Sequence, residues 1–202
     1  MVMNIETNHT QDDNLYDYLL VVNPDSRTSE EILEYKRVIA NELGYFNSFH
    51  AHPHITLFRS VFPERFQEGF INALNEVARA QSGFTIYTSK FDHFSHGENK
   101  HTIYVNVANP KPLLELHKRV LHLFELRSNS FRPHITLARA ISATAFNQVY
   151  SHFDNQLFVR SFQCRSFTLL RKPVAGGRYE TISELTFGDI EHMDGSLFPH
   201  AA

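Results

Sequence analysis

The pentapeptide Pro-His-Ile-Thr-Leu occurs twice in this chain of 202 residues, at positions 53–57 and 133–137. A lone His-x-Thr triplet would carry little information, because a chain with 13 histidines is expected to contain one by chance. An identical run of five residues in two places indicates an internal repeat. Each copy has a proline in a position that suits the start of a strand, followed by β-branched and apolar residues, so both copies are predicted to be short strands.

The alternation of side chains along a strand divides each copy into two faces. His54 and Thr56 lie on one face, roughly 6 to 7 Å apart, while the isoleucine and leucine lie on the other. His134 and Thr136 repeat this arrangement in the second copy. Two such strands facing each other would form a polar cleft that contains two proton-transfer groups.

The pattern around the motifs also repeats. Each half reads as strand, helix, motif strand, helix and strand, and the second half adds one closing strand. The predicted strands are 16–22, 53–58, 84–94, 101–107, 132–139, 162–170 and 179–187, and the predicted helix starts are Thr28 (a capping box with Glu31), Pro63, Asn109-Pro110 and Ser142. We therefore expect an α+β, bilobal, pseudo-two-fold fold. In it two small, mainly antiparallel sheets face a central cleft and carry helices on their outer sides.

Composition and length favour a single catalytic domain. We expect a flexible leader over residues 1–14, a domain over 15–189 with lobes at about 15–95 and 100–189, and a polar tail over 190–202. Cys164 is the only cysteine, the N-terminus lacks the pattern of a secretory signal, and no apolar stretch approaches roughly 20 residues. A cytoplasmic monomer without a membrane segment is predicted. The net charge of −3 implies that any contact with RNA needs a local basic patch.

Two histidines on opposing walls can act as general base and general acid on the same bond. Imidazole suits both roles because its ordinary pKa is about 6.5, so that one ring can be neutral while the other is protonated. A threonine hydroxyl two residues further on can donate a hydrogen bond to a phosphate oxygen. The simplest chemistry for such a site is displacement at phosphorus, which requires neither a metal nor another cofactor.

At these residues the chain resembles the 2H phosphoesterases, and within them the bacterial 2′-5′ RNA ligase or cyclic phosphodiesterase group. The mark of that family is a pair of His-hydrophobic-Thr/Ser-hydrophobic motifs, matched by 54–57 and 134–137, and the run Arg-Pro-His-Ile-Thr-Leu-Ala-Arg at 132–139 is very similar to its second motif. The first copy continues as Phe-Arg-Ser at 58–60, where the group often has Phe-Leu-Gly, and this leaves the subgroup open. The resemblance implies a bilobal α+β fold and hydrolysis of 2′,3′-cyclic phosphates or related nucleotide phosphodiesters, or joining and cleavage of 2′-5′ linkages. It also implies that His54 and His134 form the acid–base pair and that Thr56 and Thr136 hold the phosphate.

Further candidates for substrate binding lie close to the motifs. Arg132 shares the face of His134, whereas Arg139 and Arg59, each five residues after a motif histidine, fall on the opposite face unless a bulge intervenes. Tyr179 matches a place where the family carries an aromatic residue near the substrate, which suits stacking on a base. Arg171-Lys172 and Arg178 could form the local basic patch; the alternative is a charged hairpin in solvent, which we favour for Lys172.

Two other function classes stay open at this point. His50, His52 and His54 alternate along the chain, so an extended segment would present three neutral imidazoles to a metal such as zinc, as in a metal-dependent hydrolase. The second motif has no equivalent histidines, which argues against this alternative. The other alternative is a non-catalytic module that binds nucleotides or RNA on the same fold. A nucleotide or RNA end is the expected partner in either non-metal case.

Overall fold

The computed structural model describes residues 14–127 and 130–188. The predicted polar tail and all but the last residue of the predicted leader lie outside these residues. Eight strands are present in the described ranges: β1 Leu15–Val22, β2 Ile55–Pro63, β3 Phe84–His96, β4 Lys100–Val107, β5 His134–Ser142, β6 Ser161–Cys164, β7 Ser166–Pro173 and β8 Glu180–Thr186. Four α-helices accompany them: α1 Ser26–Leu43, α2 Gln67–Arg79, α3 Lys111–His122 and α4 Ala143–Val149. Short 3₁₀ turns precede α2 and follow α4.

All eight strands belong to one antiparallel sheet in the order β6-β3-β4-β5-β2-β1-β7-β8. The motif strands β2 and β5 meet in the middle, where Ile55 is paired with Ile135 and no other pair of these strands is in register. The predicted α+β class with mainly antiparallel strands is thus confirmed. The two predicted sheets, however, are two four-stranded halves of one sheet, joined at a single pair of residues.

The sheet curls so that its two ends approach each other. β6 lies at one edge and β7 is next to the other edge, yet only Arg165 separates them in the sequence. Residues two apart in a chain are separated by at most roughly 7 Å, so the two edges must be brought together. The sequence predicted one strand over 162–170. That prediction was wrong because the chain changes partners at Arg165, where the apolar positions shift from 162 and 164 to 167 and 169.

The halves of the sheet do not follow the predicted division of the chain near residues 95–100. β3 comes from the first half of the sequence but pairs with β4, and β7 comes from the second half but pairs with β1. β3 and β4 form a hairpin across a tight turn in which Gly97 has a φ of 65°, and consecutive antiparallel strands usually pair in this way. The first half of the sequence therefore gives β3 to the other half of the sheet, and the second half gives β7 and β8.

Two predicted helix caps differ from the structure. α1 is capped by Asp25, whose carboxylate accepts from the backbone N–H of Thr28 at 2.8 Å, so that Thr28 lies inside the helix. Asn109 does not cap α3. Its amide oxygen accepts from the N–H of Tyr87 at 2.8 Å, and its amide nitrogen donates to the carbonyl of Thr85 at 2.8 Å, which fastens the start of α3 to β3. The predicted cap at Ser142 is confirmed.

The core lies between the sheet and the helices. α1 packs against β5 and α3 packs against β2, so each helix covers a motif strand of the other half. The isoleucine and leucine of both motifs are completely or almost completely buried in this core, as their alternation predicted. Stacked and edge-on phenylalanines fill much of the remaining volume, among them Phe58, Phe70 and Phe124. In the described part of the chain, no helix has the length and hydropathy needed to cross a membrane.

Candidate active site

The two motif strands have the same pattern of burial over nine residues, 52–60 and 132–140. In both copies the histidine and threonine are half-buried on one face and alternate with buried residues. In both copies two buried residues then follow each other, at Leu57-Phe58 and at Leu137-Ala138. The repeat therefore extends from sequence to three-dimensional structure.

Adjacent buried residues mark a β-bulge in each motif strand. Along β1, Val21 is opposite Thr56 but the next residue, Leu20, is opposite Phe58, which leaves Leu57 without a partner. In β5, Thr136 is opposite Tyr104 of β4 but Ala138 is opposite the next residue, Ile103, so Leu137 is likewise left without a partner. An extra residue in one strand of a pair changes which face the following side chains occupy.

The bulges overturn the predicted placement of the two arginines. Arg59 and Arg139 come after the extra residue, and both are exposed on the face that carries the motif histidines. The positive charge of Arg139 contributes to the lowered pKa of His134 and opposes in part the raised pKa of Tyr179. The bulge considered in the sequence interpretation is present in both copies, and it brings Arg139 to the site.

Both motif histidines are held in the same way. His54 Nδ1 lies 2.7 Å from the carbonyl oxygen of His52, and His134 Nδ1 lies 2.8 Å from the carbonyl oxygen of Arg132. A carbonyl oxygen only accepts hydrogen bonds, so Nδ1 carries a proton in each ring and Nε2 is the atom left for proton transfer. A backbone carbonyl two residues earlier thus sets the tautomer in both strands.

Burial lowers the pKa of both imidazoles below 6.5, and the hydrogen bond from each Nδ1 opposes the shift in part. For His54, the positive charges of Lys36, His52 and His134 lower the pKa further. For His134, Arg139 and Arg132 do so. Because a charge on His134 affects the pKa of His54, the two rings lie within electrostatic range of each other.

One open cavity of about 440 Å³ connects the two halves of the sheet. It is lined by Thr56 from β2 together with Phe94, Ser130, Phe131, Arg132 and His134. The structure therefore brings Thr56 of the first motif together with His134 of the second, as the facing-strand prediction requires. Thr136 is half-buried on the same face of β5 as His134.

Two aromatic rings form a wall beside His134 that sequence reasoning missed. Phe94 and Tyr104 are stacked with 4.2 Å between centroids, and their centroids lie 5.0 and 5.1 Å from that of His134. Arg132 extends over Phe94 at 5.3 Å and donates to the Tyr104 hydroxyl at 3.3 Å. Alternation along β3 and β4 does not distinguish these two aromatic residues from core residues, so their sequence positions carry no functional signal.

The opposite half of the sheet carries an ion-pair network centred on Asp17. Arg59 binds the Asp17 carboxylate through two hydrogen bonds of 2.8 and 2.7 Å, and the Tyr179 hydroxyl donates to it at 2.7 Å. The bond from Arg59 is the main reason that the pKa of Asp17 is below 3.8. Burial and the bond to this carboxylate raise the pKa of Tyr179 to about 12. The hydroxyl of Tyr179 is thus engaged with protein, and Lys172 lies 5.1 Å from its ring centroid.

The predicted basic patch is largely neutralised by acidic partners. Arg171 forms ion pairs with Glu64 at 2.6 Å and with Glu180 at 2.8 Å, and Lys172 lies 3.8 Å from the Asp17 carboxylate. The patch interpretation does not hold for Arg171, because its acidic partners lie in other elements. Lys172, interpreted as a solvated hairpin residue, instead lies near the buried Asp17. Arg178 is exposed in the turn that follows β7.

The three alternating histidines of the metal alternative do not converge. His50 packs against Phe49 and Tyr45, and His52 Nδ1 lies 3.2 Å from the carbonyl oxygen of Pro53. His54 Nδ1 is engaged with the carbonyl oxygen of His52. Over residues 14–127 and 130–188, no group of three or more His, Cys, Asp or Glu side chains is arranged to hold a metal ion.

Residues 24–175 match the family model of the 2′-5′ RNA ligase superfamily. The fold is similar to that of Escherichia coli LigT in complex with 3′-AMP, with a TM-score of 0.65 and 17% identity over 86% of this chain and 98% of LigT. It is also similar to TT0787 of Thermus thermophilus, with a TM-score of 0.65 and 18% identity over 86% of this chain and 99% of that protein. No curated protein sequence matches the chain. At these identities the structural matches establish a shared fold.

Proposed function

Because the chain belongs to the 2′-5′ RNA ligase superfamily, a family of phosphodiesterase-type enzymes, we propose that it cleaves 2′,3′-cyclic phosphates or 2′-5′-linked phosphodiesters at nucleotide or RNA ends. His54 and His134 perform general acid–base catalysis without a metal. The observation that supports this most directly is the matched pair of imidazoles. Each has Nδ1 on a backbone carbonyl and Nε2 left for proton transfer. His134 lines the cavity, and His54 lies on the same strand face as Thr56, which also lines it.

The proposed reaction is an in-line displacement at phosphorus. Nε2 of one histidine removes a proton from water as its oxygen bonds to phosphorus. Nε2 of the other, protonated at the outset, gives its proton to the departing ribose oxygen as the bond from phosphorus to that oxygen breaks. The two histidines exchange protonation states in each turnover and are reset by solvent. The lowered pKa of both rings helps one of them to be neutral at neutral pH.

The remaining side chains of the cleft suit a phosphate with an attached nucleoside. Thr56 and Thr136 lie on the face of the motif strands that carries the histidines, where a hydroxyl can donate to a non-bridging oxygen. Arg139 supplies a positive charge within electrostatic range of His134. This charge stabilises the negative charge that develops on the phosphoryl oxygens. Phe94, with Arg132 over its ring, offers a stacking surface for a base inside the cavity.

A substrate screen tests the proposal. The protein is incubated with the four 2′,3′-cyclic mononucleotides and with 2′-5′-linked dinucleotides, in the presence and absence of EDTA, and the position of the product phosphate is determined by ³¹P NMR. We expect EDTA-resistant turnover of at least one class and a single regiochemistry of product. Turnover abolished by EDTA would support a metal hydrolase, and tight nucleotide binding without turnover would support a binding module. Either result would contradict the proposal.

A further inference from the structure

Each loop that leads into a motif strand contacts a buried polar side chain from the preceding helix. Lys36 is on the buried face of α1, and His117 is on the buried face of α3. We propose that Lys36 and His117 are a pair of positioning residues, one in each half of the repeat, that hold the two motif strands so that His54 and His134 face each other across the cleft. This inference rests on the acid–base function proposed above.

Lys36 binds the loop that ends at the first motif. Its ammonium group donates to the carbonyl of Ser48 at 3.0 Å and to the carbonyl of Ala51 at 2.6 Å. Ala51 immediately precedes His52, whose carbonyl oxygen accepts from Nδ1 of His54. Lys36 thus fixes the backbone from which the first catalytic imidazole takes its orientation.

The same loop is joined to the second motif strand through Ser48. The Ser48 hydroxyl donates to the carbonyl of Leu137 at 3.2 Å and accepts from the N–H of Arg139 at 2.9 Å. Leu137 is the bulged residue of β5, and Arg139 is the arginine that the bulge places on the face of the motif histidines. By holding Ser48, Lys36 therefore acts on both motifs.

His117 has the matching role in the other half. Its Nδ1 lies 2.7 Å from the carbonyl oxygen of Leu57, the bulged residue of β2, and donates to it. Its ring is stacked on Phe131, with 4.0 Å between centroids, in the loop that precedes His134. The carbonyl of each bulged leucine is thus bound by a side chain from outside its own strand, and each helix contributes one anchor.

Packing alone does not account for either residue. Lys36 is 1% exposed and has no acidic partner among the described residues, so its charge is desolvated without an ion pair. His117 is 8% exposed, and its Nε2 is buried with no hydrogen-bond partner in the described part of the chain. Apolar side chains of similar size would fill both places without a desolvation cost of their own, but the carbonyls of Ser48, Ala51 and Leu57 would lose these donors. The polar groups of Lys36 and His117 provide hydrogen bonds to the loop before β2 and to the bulge of β2, respectively.

The two anchors differ in charge, and this difference makes Lys36 testable by a second readout. Burial lowers the pKa of Lys36 to about 8, so it is mostly protonated at neutral pH and lowers the pKa of His54, as do His52 and His134. The charges that act on His134 are Arg132 and Arg139. Removal of the Lys36 charge should therefore raise the pKa of His54 and leave that of His134 nearly unchanged.

Lys36 is tested with Lys36→Met and Lys36→Gln, assayed on a substrate that the wild-type protein turns over. Small displacements of catalytic groups cost about 10- to 100-fold in rate, so Lys36→Met should lower kcat by that factor and change KM by less than about threefold. Lys36→Gln retains N–H donors and should recover part of kcat. In NMR titrations of the ring protons, both variants should raise the pKa of His54 relative to wild type.

His117 is tested with His117→Phe, which keeps the stacked ring and removes the donor, and His117→Asn, which keeps a donor at the place of Nδ1. We expect kcat to fall in the first variant and to be largely restored in the second. Thr88→Val is the matched control, since Thr88 is also buried and donates to a carbonyl, that of Phe158, away from both motifs. It should reduce stability without changing kcat or either histidine pKa.

Failure of this inference can be distinguished from failure of the proposed function. If wild type turns over no substrate, the function is wrong, whereas the NMR titration of His54 still tests the Lys36 contact. If wild type is active but Lys36→Met and His117→Phe lose no more kcat than Thr88→Val, the positioning role is refuted. An unchanged pKa of His54 in folded Lys36→Met would likewise overturn it.

Discussion

Replacing each motif histidine by asparagine isolates the contribution of Nε2. The asparagine amide nitrogen occupies the place of Nδ1, so His54→Asn and His134→Asn can still donate to the carbonyls of His52 and Arg132, now 2.7 and 2.8 Å from the rings. The backbone of both motif strands should therefore keep its conformation. The group that transfers the proton is lost.

The magnitude follows from the role of each ring. A general acid or base typically contributes about 10²- to 10⁴-fold, which corresponds to about 2.7 to 5.4 kcal/mol of transition-state stabilisation. Each single variant should lose kcat/KM by that factor. Because the two rings act in the same step, the kcat/KM of the double variant should be only slightly lower than that of the less active single variant. The loss should be far smaller than the product of the two single losses.

The assay is steady-state turnover of the best cyclic or 2′-5′ substrate, accompanied by thermal unfolding to show that the variants are folded. His50→Asn serves as the control. It removes an exposed imidazole from the neighbouring loop and tests the metal alternative, and it should leave kcat/KM within about twofold of wild type. Full activity in either motif variant, or a double variant that loses the full product, would refute the shared-step mechanism.

Three further outcomes are expected. Because burial lowers the pKa of His54 and His134, the profile of kcat/KM against pH should be bell-shaped with its maximum on the acid side of pH 6.5; a maximum above pH 7.5 would contradict this. Asp17→Asn should lower the free energy of unfolding at pH 7 by about 1.5–3 kcal/mol. The folded pKa of Asp17 lies below 3.8, so its stabilisation is present above that value, and the difference between variant and wild type in denaturant titrations should shrink as the pH falls below 3.8. Burial raises the pKa of Cys164 to about 12, so a thiol reagent at pH 8 should modify it only after unfolding; rapid labelling of the native protein would disagree.

The sequence predicted the features that depend on local periodicity. The faces of His54, Thr56, His134 and Thr136, the position of the motif in two matching units, and the α+β class all follow from alternation and from the repeat. Predictions failed where a residue distant in the sequence decides the outcome. Arg171 was interpreted as a residue of a basic patch or of a solvated hairpin, and its pairing with Glu64 could not be predicted because Glu64 lies in another element.

The bulges show most clearly why local reasoning stops short. In residues 54–60 the alternation is interrupted at the adjacent apolar pair Leu57-Phe58, but the sequence does not show which of the two is the extra residue; the register with β1 identifies Leu57. It nevertheless decides whether Arg59 and Arg139 face the core or the cleft. Sequence patterns likewise do not identify Phe94 and Tyr104. These residues contact His134 because β4 lies next to β5 in the sheet and β3 lies next to β4.

The exchange of strands and helices makes the cleft a property of the whole chain. β2 is covered by α3 and β5 by α1, and β1 needs β7 from the other half as its neighbour. A single half of the repeat would leave β1 with one unpaired edge and its motif strand without a helix, although it would contain a complete motif. Because the carbonyl of each bulged leucine is also bound from outside its strand, by His117 at Leu57 and by Ser48 at Leu137, neither histidine can be oriented independently of the global fold. The pairing of two motifs in one chain is therefore a structural requirement, independent of the proposed chemistry: each half completes the strand that carries the other's motif histidine.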